Sequence, residues 1–163
     1  MKRQRLTLFI LILALFASSC RKATYIEPRT ENILIKDSLG IVPFSFEANL
    51  DSLQKSFLYR VIIINSIEAL TNPFETLGLE APEVLAQYDY KKYTFLLRFC
   101  VYIKLKEDIK HKLIRDRETG VYTYCIITNE KMELNPEVFF FYTGILVPKI
   151  SDDAEINTCF NFF

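Results

Sequence analysis

Glycine, histidine and tryptophan are scarce in this chain, with four glycines, one histidine and no tryptophan among 163 residues. So few glycines leave little scope for a phosphate-cradling loop, and neither the P-loop nor the dinucleotide glycine pattern occurs. The lone histidine, His111, leaves no histidine-based metal site, which needs several ligands close together. His111 also lies among Lys110, Lys112 and Arg115, and these cations disfavour another bound cation. It reads as a solvated surface residue. A Cys/His nucleophile pair would have to use this same residue, and no serine-hydrolase elbow or zinc-protease motif is present. The sequence therefore indicates no catalytic residue, no cofactor and no metal ligand, and the chain is expected not to be an enzyme. Net charge is lacking too, with 20 basic and 20 acidic residues. A near-neutral protein is no general binder of nucleic acid.

Long apolar runs are absent as well. The longest, Leu6 to Phe16, is interrupted by Thr7 and spans about 11 residues, short of the ~18 that cross a bilayer but suited to the core of a signal peptide. Lys2, Arg3 and Arg5 precede it as a basic region, and Ala17-Ser18-Ser19-Cys20 follow it. Cys20 stands where a bacterial lipoprotein is diacylated at sulfur, cleaved, and acylated again on its new amino group. The segment resembles a bacterial lipoprotein lipobox, with Ala17 in place of the commoner leucine. That resemblance covers residues 1–20 and implies a signal peptide at 1–19 and lipidation of Cys20. One acyl chain binds a membrane only reversibly, whereas two or three anchor a domain firmly. Arg21-Lys22 follow the cysteine. By analogy with enteric lipoproteins, the lack of Asp there argues against inner-membrane retention. The lack of an acidic stretch argues against export to the cell surface. The expected location is the periplasmic face of the outer membrane, with the cell surface as the alternative.

Removing the leader takes away three basic residues and leaves one domain's worth of chain. Residues 20–32, with Pro28 and the polar run Arg29-Thr30-Glu31-Asn32, read as a lipidated tether, and 33–163 as a single β-rich domain. Charge is unevenly spread. Lys91 to Arg117 is strongly basic and Glu118 onwards is acidic. Such blocks are usually solvated faces that complement each other across a fold, and a basic strip facing anionic lipid is the sharper alternative. Three cysteines remain after Cys20, namely Cys100, Cys125 and Cys159. They permit one disulfide and one thiol in an oxidising compartment, and sequence does not choose among the pairings.

The patterning favours sheet. Ile33–Ile35 is a short apolar run, Asp37-Ser38-Leu39-Gly40 a turn, and 41–48 a strand. Over 49–70 a helical spacing (Leu50, Leu53, Phe57, Val61, Ile64, Ile67) competes with the β-branched run at 58–64, and a turn at 50–56 followed by a strand at 57–64 is preferred. Asn72-Pro73 and Ala81-Pro82 bracket an irregular stretch, and 82–87 reads as a short helix with Pro82 in its first turn. The strongest element is Tyr93–Leu105. Its odd positions are all apolar and its even positions mixed, which predicts one face in the core. Residues 106–115 are a strand or helical turn, 117–120 a hairpin connection with Gly120 left-handed, and 121–128 the return strand. A turn at 129–131 precedes the strand at 138–147, where Gly144 marks a bulge, and a last strand covers 156–163. About seven strands with little helix predict an all-β antiparallel sandwich or small barrel. The Asp37–Gly40 turn, Leu50-Asp51-Ser52 and Tyr59-Arg60-Val61-Ile62-Ile63 look like small uncharacterised lipoproteins of Gram-negative anaerobes, a resemblance that implies no activity.

Three other features bear on function. Asp152-Asp153 with Glu155, and Glu130 with Glu133, are carboxylate clusters in predicted turns, where acids serve conformation. Tyr88-Asp89-Tyr90-Lys91-Lys92-Tyr93 suits either sugar stacking or, preferably, the polar start of a strand. The Phe139–Phe141 run and Phe160, Phe162 and Phe163 read as core, or as a partner patch if exposed. The expected role is non-catalytic binding or structure in the cell envelope, with membrane contact through the anchor and a protein or glycan partner. An envelope hydrolase using paired carboxylates and an accessory subunit of an envelope complex are the alternatives.

Overall fold

The computed structural model describes residues 29–44, 60–103, 109–128 and 138–162. Eight strands and two helices occur among them: β1 (Thr30–Asn32), β2 (Asp37–Phe44), β3 (Val61–Ile64), α1 (Ile67–Thr76), α2 (Glu83–Ala86), β4 (Tyr93–Ile103), β5 (Ile109–Asp116), β6 (Tyr122–Thr128), β7 (Val138–Pro148) and β8 (Ile156–Phe162). They form two four-stranded sheets, a first in the order β1-β5-β6-β8 and a second in the order β2-β7-β4-β3. The fold is a sandwich rather than a closed barrel, with little helix. β1 begins at Thr30, inside the stretch read as a tether.

The second sheet is buried on both faces, which the alternation in β4 did not predict. Its odd side chains Phe95, Leu97 and Phe99 enter a cluster with Leu70, Phe74 and Leu85 of the helical layer. Its even side chains Leu96 and Cys100 enter a different cluster, with Leu113 of β5 and Tyr124 and Ile126 of β6. Even Thr94 is fully buried, because its hydroxyl bonds Asn65 Oδ1 at 2.5 Å and accepts the Ile150 N–H at 2.8 Å. The mixed face is thus the inter-sheet face, where the Thr94 hydroxyl finds partners while Arg98 Nε is buried without one among the described residues.

Several local expectations need correction. The short apolar run at 33–35 is the crossover that carries the chain from one sheet to the other: Ile33 N–H bonds Leu113 O at 2.8 Å and Lys36 N–H bonds Leu146 O at 2.7 Å. The expected turn at 37–40 lies within β2, because its backbone pairs with β7. The stretch around Asn72-Pro73 is helical. Ser66 caps α1 by accepting the Ala69 N–H at 3.1 Å, and Leu70, Pro73 and Phe74 are buried. Packing of Phe74 on Phe99 and Tyr142, at ring separations of 5.5 and 5.1 Å, offsets the hydrogen bond that proline forgoes. The expected elements over 45–59, 104–108, 129–137 and at residue 163 fall outside the described residues.

Gly144 does not sit at a bulge of its own strand. The β4–β7 register runs unbroken through it, and the extra residue is in β2, between Leu39 and Val42. Glycine is required there by close approach: a Cβ would lie 2.5 Å from Cζ of Phe95 and 2.6 Å from the Leu96 carbonyl oxygen. Gly120 is left-handed as expected, at φ 76°, in a turn where the Asp116 carboxylate accepts the Glu118 and Thr119 N–H groups. The sheets are also not wholly antiparallel. β8 pairs with β6 in parallel, because β7 intervenes between them in the other sheet.

That parallel pair is stapled. Cys125 and Cys159 are register partners and form the disulfide, leaving Cys100 as the buried free cysteine among the described residues. Burial pushes the Cys100 thiol up to about 11, so it behaves as a small apolar side chain. The charge blocks pair differently from expectation. Arg115 and Arg117 reach Glu31 at 3.7 and 3.5 Å, and Arg29 reaches Asp116 at 2.7 Å, so the end of the basic segment is tied to Arg29 and β1.

Two outcomes follow from this packing. Gly144→Ala should lower unfolding free energy by about 1–3 kcal/mol, the usual cost of overpacking, read from urea midpoints. A neutral result would mean that the Phe95 ring is not seated there. Alkylation mapping should modify Cys100 only after denaturation and neither Cys125 nor Cys159 without reductant. Reduction should cost about 2–4 kcal/mol, given the 34-residue separation.

Candidate functional site

β5 alternates Ile109, His111 and Leu113 on one face with Lys110 and Lys112 on the other. That period places His111 on the inter-sheet face, so it is not the solvated residue expected from its basic neighbours. The signal was in the alternation, and the charge of adjacent residues obscured it. His111 Nδ1 lies 2.9 Å from Tyr124 Oη of β6, and Nε2 lies 3.3 Å from Thr143 Oγ1 of β7. Thr143 donates its hydroxyl hydrogen to the Leu39 carbonyl of β2 at 2.7 Å. Donor counting then assigns the tautomer. Thr143 Oγ1 has no hydrogen left to give, so Nε2 carries the proton, and the bare Nδ1 accepts from the Tyr124 hydroxyl. The chain Tyr124–His111–Thr143–Leu39 passes from the first sheet into the second with every polar hydrogen placed.

Burial drives the titration of this cluster. It depresses His111 to about 4, only partly opposed by the Leu39 carbonyl. It also pushes the Tyr124 phenol far above its ordinary range. A neutral imidazole with both nitrogens engaged is neither a free base nor an open metal ligand. Its chemical role is to fasten the two sheets. Thr143 is fully buried and its hydroxyl is committed, so it offers no nucleophile.

Beside His111 a cleft of about 350 Å3 opens, lined by residues 32–35 and 111–113. It exists because β1 pairs with β5 only at Asp116–Ile114 and then leaves for the second sheet. Leu34, 63 % exposed, stands at its rim. A second cleft, of about 330 Å3, is lined by residues 65–68 and 88–91 at the start of α1. Its tyrosines are not stacking platforms. Tyr88 lies against Phe95 and donates to Asp37 Oδ2 at 2.7 Å, and Tyr90 is buried and donates to Leu85 O at 2.8 Å.

Of the other residues singled out in the sequence, Cys20, Glu130 and Glu133 lie outside the described residues. Asp152 accepts from Asn65 Nδ2 at 2.6 Å and Asp153 from the Ser151 hydroxyl, so both serve the turn that precedes β8. Among the described residues no three His, Cys, Asp or Glu side chains are grouped to hold a metal. Phe141 is core as expected, and Phe140 and Phe160 are half-buried. Arg98 enters the inter-sheet face on β4, where its guanidinium lies 5.9 Å from the Phe160 ring and Nη1 reaches Cys159 O at 3.4 Å.

The depressed His111 carries a pH dependence of stability. Well above pH 6.5 the imidazole is neutral in both the folded and unfolded states, and its contribution is intact. Between about 6.5 and 4 only the unfolded chain takes the proton, so stability falls with pH by up to about 3 kcal/mol. His111→Gln should flatten the difference between urea midpoints at pH 7 and pH 4.5, and an unchanged slope would mean that the imidazole is solvated. No protein-family model, curated protein or solved structure matches this chain.

Proposed function

We propose that this chain is a membrane-anchored lipoprotein of the cell envelope, in which acyl groups on Cys20 hold a non-catalytic binding or structural domain at the membrane. The observation that carries the anchor is the order of parts in the leader: basic residues, a short apolar run, small residues, then Cys20. Among the described residues no helix is long and apolar enough to cross a membrane, so a lipid anchor is the attachment this reading relies on. The Cys125–Cys159 disulfide supports an oxidising compartment. The predicted placement is the periplasmic face of the outer membrane, with the cell surface as the alternative.

The binding role draws support from the cleft beside β5, where an apolar rim and an interrupted sheet edge lie together. The partner is an envelope protein or glycan. Engagement of Asp152 and Asp153 within their turn gives the hydrolase alternative no support from that pair.

Cys20→Ser should abolish incorporation of labelled fatty acid and move the protein out of the membrane fraction or leave an uncleaved precursor. Unchanged fractionation and unchanged labelling would defeat the anchor.

A further inference from the structure

Among the described residues the outer edge of β5 is paired over only part of its length. Thr30, Glu31 and Asn32 face Asp116, Arg115 and Ile114, and the last backbone bond on that side runs from Ile33 N–H to Leu113 O. Alternation along an antiparallel strand sends the N–H and C=O of every second residue to the same neighbour. The backbone groups of His111 and Ile109 therefore point the same way as those of Leu113, towards the side that β1 has vacated. Among the described residues no strand takes that place, and the cleft at residues 32–35 and 111–113 opens where it would lie.

We propose that the Ile109–Lys112 edge of β5 is a strand-accepting site for an extended segment of a partner protein in which apolar and acidic side chains alternate. The inference rests on the binding role proposed above but not on acylation. An added strand would satisfy the open backbone groups, the general mode of edge augmentation. Its inward side chains would lie towards Ile33, Ile35 and Leu113, which are apolar and pack on the inter-sheet cluster. Its outward side chains would stand beside Lys110 and Lys112, both exposed and in no ion pair among the described residues. Carboxylates there form favourable cross-strand pairs. The same lysines disfavour a second copy of this chain, since two β5 edges laid together would set like charges against each other.

The test uses the full-length protein in detergent and the labelled peptide acetyl-Val-Glu-Val-Glu-Val-Glu-Val-amide. The expected result is saturable binding that slows amide exchange at Ile109 and His111 by about tenfold or more while leaving β8 unaffected. A peptide with lysine in place of glutamate should bind about tenfold more weakly, as two cross-strand charge pairs together provide. One N-methylated at alternate residues should not bind. The doubly substituted protein, Lys110→Glu with Lys112→Glu, should reverse the preference between the two charged peptides, an outcome that itself requires a folded domain. Unchanged exchange at Ile109 and His111, or equal binding of the two charged peptides, overturns the proposal. So do amides already protected without peptide, or dimers formed through this edge, which would assign it to the chain itself or to a second copy. Failure here leaves the Cys20 result standing, and loss of the anchor leaves the peptide result standing.

Discussion

The pairing of β4 with β7 is the constraint on which the rest depends. Register partners run from Tyr93 with Pro148 to Ile103 with Val138, and side chains of both strands are buried on both faces. A strand pair with no solvated face must be covered twice. One cover is the first sheet, which contributes Leu113, Tyr124 and Ile126. The other is the helical layer, anchored by Leu70, Phe74 and Leu85. Gly144 is a direct consequence: with Phe95 laid across β7, no side chain fits beneath the ring. Each fully buried Leu or Phe contributes about 1.5–3 kcal/mol relative to exposure, and the largest such side chains concentrate on these two strands and their immediate covers.

Fastening the first sheet to this core takes more than apolar contact. It has no strand as long as the 11 residues of β4 and β7, its β8 joins in parallel, and β1 contributes three residues. Three devices compensate. The Tyr124–His111–Thr143–Leu39 chain ties β5 and β6 to β7 and β2, and is costly to break because it would leave buried polar groups without partners. The Cys125–Cys159 disulfide holds β8 to β6. Ion pairs of Arg29 and Glu31 hold β1 against the end of β5, although exposed pairs are individually weak. Among the described residues the other end of β5 has no such cover, and the cleft lined by residues 32–35 and 111–113 lies there. Under the proposal made above, a β5 edge already held in the sandwich would accept a strand without rearranging, which would lower the ordering cost of recognition.

Much of the architecture was legible in the sequence because period-two alternation survives wherever one face differs from the other. Tyr93–Ile103 announces itself in this way, whereas Val138–Pro148 is legible as an apolar run and Tyr122–Thr128 as the return strand after the Gly120 turn. Legibility failed where two rules competed. Pro73 hid α1 because its cost is local and visible, whereas the burial of Phe74 that offsets it is tertiary. Lys110 and Lys112 hid His111 because sequence neighbours in a strand point to opposite faces. The turn residues Asp37 to Gly40 hid the start of β2 because its pairing partner lies about a hundred residues away. The disulfide could not be chosen from three cysteines, since only the parallel register brings Cys125 and Cys159 together. The candidate edge was unreadable for a similar reason: it arises from where β1 stops pairing, which no residue in β5 encodes.

The most direct measurement of this hierarchy is native-state hydrogen exchange of the backbone amides across the two sheets. Hydrogen-bonded amides of Phe95–Cys100 in β4 and Phe141–Leu146 in β7 should exchange only through global unfolding, with a full dependence on denaturant, while those of β1 open first and locally. If the β4 and β7 amides exchange through local openings while the first sheet stays protected, the doubly buried pair is not the foundation of the fold, and the rigid edge built upon it loses its physical basis.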